Sequence, residues 1–209
     1  ARRPDPMERA LIGFAAALSL VVLPAQAAEW IADPDASKIG FVYERAGGAA
    51  EGAFTRFAGG GRFDPARPEE AELRLAIETR SIELGTLIES AFATSAEWFD
   101  SGQHPEAIYE LITLTPLGED RFEAFGTLSI KGRTRSLRSE ITLSITEVAS
   151  GGQAMAMGAL TVNRRAFGLG IGPVSAFVTI GDQVTVNFAL AAAVAEGTSE
   201  PNTAATSDE

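Results

Sequence analysis

The stretch Leu137-Arg138-Ser139-Glu140-Ile141-Thr142-Leu143-Ser144-Ile145-Thr146 decides how the rest of the chain is read. Leu137, Ile141, Leu143 and Ile145 fall on every second position, separated by Arg138, Glu140, Thr142, Ser144 and Thr146. A period of two sends the large aliphatic side chains to one face and the polar ones to the other, as in a strand that covers an apolar interior and meets water outside. A helix would scatter the same residues around its whole circumference.

Working outward, Leu73, Leu75 and Ile77 alternate with Glu72, Arg74, Ala76 and Glu78, and Val184, Val186, Phe188 and Leu190 alternate with Thr185, Asn187 and Ala189. Turn-forming clusters separate such runs: Gly47-Gly48, Asp64-Pro65, Gly118-Glu119-Asp120, Gly132, Gly151-Gly152 and Gly181-Asp182. The segments between them predict eight strands, near residues 38–45, 50–63, 72–79, 106–116, 121–130, 135–148, 153–163 and 183–194. Residues 81–102 break the alternation. Leu84, Leu87, Ile88, Ala91 and Phe92 recur there at helical spacing, so a short helical insertion or cap is expected. Eight antiparallel strands with one apolar face form a sandwich or a closed barrel, and closure removes the exposed edges that invite aggregation. A barrel of that size either fills with its own side chains or holds one small ligand.

The N-terminus reads as an address. Arg2, Arg3 and Arg9 precede an apolar run over residues 10–23, and Pro24-Ala25-Gln26-Ala27 supplies an Ala-x-Ala cleavage site. The run is shorter than the ~20 residues that span a bilayer. Residues 1–27 are therefore expected to be a signal peptide, with export to the periplasm and no stable membrane insertion after cleavage. Residues 28–194 form one domain, and residues 195–209 (AEGTSEPNTAATSDE) form an acidic tail too poor in apolar side chains to order itself. The signal carries three basic and two acidic residues, so its removal takes the formal charge from −11 to −12. Such a charge repels phosphate backbones, which argues against nucleic acid as a partner. The basic cluster Lys131, Arg133, Arg135 and Arg138 reads as a solvated strand face.

Catalytic groups are scarce. There is no cysteine, and the single histidine, His104, precedes Pro105 without a carboxylate or histidine cluster around it. Neither a Gly-x-Ser-x-Gly elbow nor a His-Glu-x-x-His pair occurs. Gly59-Gly60-Gly61 lacks the Lys-Ser/Thr of a phosphate loop and reads as a bend, while Gly168, Gly170 and Gly172 suit a close backbone approach at a rim. No enzyme, metal or cofactor is expected.

Several short motifs follow one another along the chain. The first are Trp30-Ile31-Ala32-Asp33, Ser37-x-Ile39-x-Phe41, Glu51-Gly52-x-Phe54-x-x-Phe57, Phe63-Asp64-Pro65 and Ser81-Ile82. They are followed by Trp98-Phe99-Asp100, His104-Pro105-x-Ala107-x-Tyr109, Gly126-x-Leu128-x-Ile130-x-Gly132-x-Thr134 and Asn163-Arg164-x-x-Phe167-Gly168. Taken in order, they resemble the YceI family of periplasmic lipid-binding proteins with a lipocalin-like barrel. The resemblance implies an all-β, eight-stranded antiparallel lipocalin-like barrel and a bound polyisoprenoid or other long-chain lipid, such as a polyprenyl compound or prenyl quinone. Three positions depart from the family's pattern: His104 where tyrosine is common, Ala166 where an acidic residue is common, and Leu111 where serine is common. The last two imply a less polar guest.

The alternation makes Ile39, Phe41, Leu75, Ile77, Leu128, Ile130, Leu143 and Phe188 the expected cavity lining, with Trp98 and Phe167 closing the ends. A carrier that shields such a lipid in water, with a homodimer allowed for, is the leading expectation. A filled barrel serving as a stress-related interaction module is the alternative, and an enzyme acting on a bound lipid comes last.

Overall fold

A computed structural model describes residues 27–148 and 151–195. The expected signal peptide (residues 1–27) and acidic tail (residues 195–209) lie almost wholly outside those residues.

The strands are β1 (Ala28–Arg45), β2 (Gly48–Phe54), β3 (Phe57–Phe63), β4 (Glu72–Glu78), β5 (Ile82–Glu83), β6 (Glu106–Gly118), β7 (Arg121–Ile130), β8 (Arg133–Val148), β9 (Gly151–Asn163) and β10 (Ile180–Val194). One helix, α1 (Leu87–Ala93), and several single 3-10 turns complete the described chain. The sheet runs β10-β9-β8-β7-β6-β4-β3-β1, and β1 pairs with β10 to close it. β2 continues β3 along the same edge of β1, and β5 is a two-residue strip beside β2. Counting β2 and β3 as one bent strand gives an eight-stranded, closed, antiparallel barrel with one short helix.

Two differences from the expected strands have local causes. β1 starts ten residues early, at Ala28 rather than residue 38. Its ladder with β10 skips between Asp33 and Lys38, where the Ser37 hydroxyl donates to the Asp33 carbonyl at 2.5 Å. That irregularity changes the parity, so Trp30 and Ile39 share the inner face although nine positions apart. The expected strand at 50–63 breaks at Thr55-Arg56, because Phe54 and Phe57 both face inward and cannot do so three residues apart in one regular strand. Gly61 accommodates the resulting bend: a Cβ there would run into the carbonyl of Glu72 on β4.

The barrel's outer face is laced by cross-strand ion pairs, Arg56–Glu78, Arg74–Glu110, Arg121–Glu140 and Arg138–Glu123. Arg138 also lies 4.5 Å over the Phe125 ring, and Arg135 donates to the Thr134 carbonyl. Exposed pairs of this kind fix register and solubility more than stability.

The insertion between β4 and β6 folds over one end of the barrel. Buried hydroxyls pin its base: Thr79 donates towards the carbonyls of His104 and Pro105, and Ser81 towards those of Arg56 and Glu78. α1 begins at Thr86, whose hydroxyl accepts the Glu89 amide at 3.2 Å, and lasts two turns. The apolar spacing does produce a helix, but not a fully buried face. Leu84 and Phe92 face the interior, whereas Leu87 and Ile88 stand in solvent.

Candidate functional site: an apolar cavity through the barrel

The interior is open. A cavity of about 630 Å³ runs inside the barrel from Trp30, Phe63 and Leu143 at one end to Phe92, Trp98 and Phe177 at the other. If a methylene occupies roughly the ~30 Å³ that a water takes in liquid, on the order of twenty carbons fit. The volume lies within the ~300–1,000 Å³ usual for small-molecule sites.

The space exists because two strands turn their small residues inward. On β9, Ala154, Ala156 and Leu160 line the cavity while Met157 points out to solvent, reversing the usual arrangement of large-inside and small-outside. Opposite them on β10, Ala192 does the same. Gly158 leaves room for the Phe188 ring, whose tip would stand 2.8 Å from any Cβ added there. With larger residues at these positions the barrel would fill.

Ile39, Phe41, Leu75, Ile77, Trp98, Leu128, Ile130, Leu143 and Phe188 all line this space. Phe167 does not. A 3-10 turn over Arg164–Phe167 carries its ring into the packed cap, where it is 1% exposed among Ala107, Leu128, Ile130, Val162 and Leu169. Nor do Trp98 and Phe167 close opposite ends: both belong to the end covered by the insertion. Alternation cannot place a residue in a 3-10 turn, and the Phe-Gly pair gave no orientation.

An aromatic collar lies beneath the cap. Phe41 sits 5.5 Å from Phe54 and 6.0 Å from Tyr43, Phe54 meets Phe99 edge-on at 5.7 Å, and Phe92 meets Trp98 at 6.1 Å. Polar handles on the wall are few: the hydroxyls of Tyr43, Tyr109, Ser139 and Thr179 and the indole N–H groups of Trp30 and Trp98, both buried without a partner. Burial pushes the Tyr109 phenol up, and burial does the same at Tyr43, opposed by Arg45 and reinforced by Glu89, so both remain neutral. The charged residues that reach the cavity are paired, Arg45 with Glu89 at 2.9 Å, Arg62 with Glu72 at 2.8 Å and Arg164 with Asp182 at 3.0 Å.

Arg164, missed as a key residue by sequence reasoning, holds the cap together. Its guanidinium is buried, donates to the carbonyls of Gly181, Leu169, Gly170 and Ile180, and forms an ion pair with Asp182. Those carbonyls take four of its five donors. Burial pulls its pKa down, countered by Asp182. Lys131, read as part of a solvated basic face, instead ties the carbonyls of Ala96 and Gly168 together from the β7–β8 turn. Of the departures noted in the sequence, Leu111 lies on the cavity wall and Ala166 packs against the cap core, so neither brings a polar group to the interior. His104 is half-buried, and no cluster of three or more metal-ligating side chains occurs among the described residues.

Residues 30–192 match the YceI-like domain family. This chain belongs to the YceI-like family. Among solved structures, this YceI-like protein is similar to BcnA of Burkholderia cenocepacia, with 26% identity and a TM-score of 0.69 over 77% of this chain and 98% of that one. A polyisoprenoid binding domain from Saccharophagus degradans, implicated in plant cell wall breakdown, shares the fold at 16% identity and a TM-score of 0.63, over 79% of this chain and 98% of the other. The YCEI protein of Campylobacter jejuni does so at 15% identity and a TM-score of 0.61, over 69% of this chain and 85% of that one. A UPF0312 protein from Azotobacter vinelandii is 30% identical over 84 residues, a match that spans 40% of this chain and 44% of that relative's length.

Proposed function

We propose that this YceI-like protein is a periplasmic carrier that holds one long-chain lipid, a polyisoprenoid or prenyl quinone, inside its barrel. The observation that carries the reading is the open cavity, walled almost entirely by hydrocarbon. Burying a five-carbon isoprene unit yields about 4 kcal/mol at ~0.8 kcal/mol per carbon. Association and ordering cost ~4–15 kcal/mol, so about three to six buried units reach the ~8 kcal/mol of micromolar affinity, a range that includes the roughly four units (twenty carbons) the cavity holds. A bilayer offers a lipid tail the same hydrophobic gain, so net capture depends on packing against a shaped wall and on the few polar handles. A filled barrel serving only as an interaction module does not fit an interior of this volume. Export rests on the basic and apolar pattern of residues 1–27.

Ala156→Phe tests the reading. It inserts a ring into the space without removing a contact, so the fold should survive while uptake of a long-chain prenyl quinone, followed by quenching of Trp30 and Trp98 fluorescence, falls at least tenfold. A folded Ala156→Phe protein with undiminished uptake would mean that the guest does not occupy this cavity.

A further inference from the structure

The large apolar side chains left in solvent are unevenly distributed. Of the ten among the described residues, six lie on two segments of the capped end: Leu87 and Ile88 on α1, and Ile171, Val174, Phe177 and Val178 on the loop before β10. Leu87 is 90% exposed, Ile88 82% and Phe177 91%, so these are protruding tips rather than edges of a packed core. Nothing in the rest of the fold calls for them.

The aperture lies between the same two segments. Phe177 and Val178 line the cavity as well as facing solvent, and Leu84, Glu89 and Phe92 face them from the α1 side, with Arg45 and Ala46 between. The two rim segments themselves carry almost no charge, in a protein that is strongly acidic. Residues 166–181 contain no ionisable side chain, and Glu89, the single acid over residues 84–96, is paired with Arg45. The loop is held in place from behind by Glu97, which accepts the amides of Val174 and Ser175, and by the Gly170 amide donating to the Glu97 carbonyl.

We infer that this rim docks onto a lipid bilayer, with Leu87, Ile88 and Phe177 entering the headgroup–acyl boundary so that the cavity opens directly into hydrocarbon. The inference rests on the carrier reading and specifies where the guest is exchanged. A charged protein partner would be matched by charges that this rim lacks, whereas apolar tips around a greasy aperture match the membrane interface. Docking also removes the step in which a naked tail would have to cross water between bilayer and barrel.

The experiment compares the wild type with a Leu87→Ser/Ile88→Ser double variant and with Phe177→Ser. All three positions are so exposed that the fold should be unaffected. Flotation with phosphatidylcholine vesicles is expected for the wild type, with little dependence on salt, and at least tenfold less for either variant. Prenyl quinone extraction from the same vesicles should slow in parallel, while uptake of quinone supplied from ethanol stays unchanged in the Leu87→Ser/Ile88→Ser variant, whose positions do not line the cavity. Variants that float and extract like the wild type would overturn the inference, as would a wild type that ignores vesicles. So would a wild-type dimer that the substitutions dissociate without any change at vesicles, since the rim would then cover a second copy. Failure of every form to take up quinone from ethanol, with flotation intact, would count against the carrier reading and leave the docking standing.

Discussion

Replacing Arg164 by methionine would keep roughly the length of the side chain and remove the common donor of four carbonyls. Acceptors left buried without partners cost about 1–3 kcal/mol each. Urea unfolding should therefore register a loss on the order of 3 kcal/mol for Arg164→Met, with lysine restoring only part of it because it lacks the fork. A loss below about 0.5 kcal/mol, the level of an ordinary surface change, would show that the cap does not depend on this residue. At Phe188, which faces both Ile39 and the Phe57–Leu75 cluster, aspartate would place a carboxylate against hydrocarbon. Phe188→Asp is expected to abolish lipid uptake or folding, read by fluorescence and circular dichroism, and a folded variant with normal uptake would put residue 188 on the wrong face. Side chains such as Phe188 and Leu75 were legible in the sequence because large apolar residues at period two have only one face to occupy. Arg164 and Phe167 were not, since a turn of three or four residues has no period and a buried arginine looks like a surface one. Ala154 and Ala156 were also passed over. The residues that make room for a guest are conspicuous by being small, and a search for large apolar side chains overlooks them.

Among the elements, the strands with uninterrupted alternation, β4, β7, β8 and β10, lie within three residues of their expected bounds. β1 and the β2–β3 pair were harder to read because a bulge at residues 33–38 and a bend at Thr55-Arg56 change which parity faces inward. The capping loop carries its own expectation. The Ser175 hydroxyl, aided by the amides of Val174 and Ser175 and by Lys131, holds the Glu97 carboxyl below its ordinary range against the opposing effect of burial. A carboxyl whose folded-state pKa is depressed contributes its tether above the unfolded value of about 4.3 and loses it as pH falls through the lowered one. Protection of the Val174 and Ser175 amides from hydrogen exchange should therefore decline in acid. Glu97→Ala should lack that protection at every pH, with little change in the strands. Equal protection in wild type and Glu97→Ala at pH 7 would show that the loop is held by something else.

At the scale of the molecule, a chain without cysteine closes its sheet through the β1–β10 ladder and leaves the middle vacant by lining part of two strands with alanine. Closure was foreseeable from the strand number and the edge problem. Vacancy was not, because eight strands are compatible with either a filled or a hollow barrel, and only the sum of the side-chain volumes decides between them. Native mass spectrometry of the protein isolated from its own cells tests the central claim most directly. The account predicts one added mass per chain, released by organic solvent and identified on fragmentation as a long hydrocarbon-chain lipid. Preparations that repeatedly carry no added mass, and that stay empty when a prenyl quinone is supplied, would contradict it.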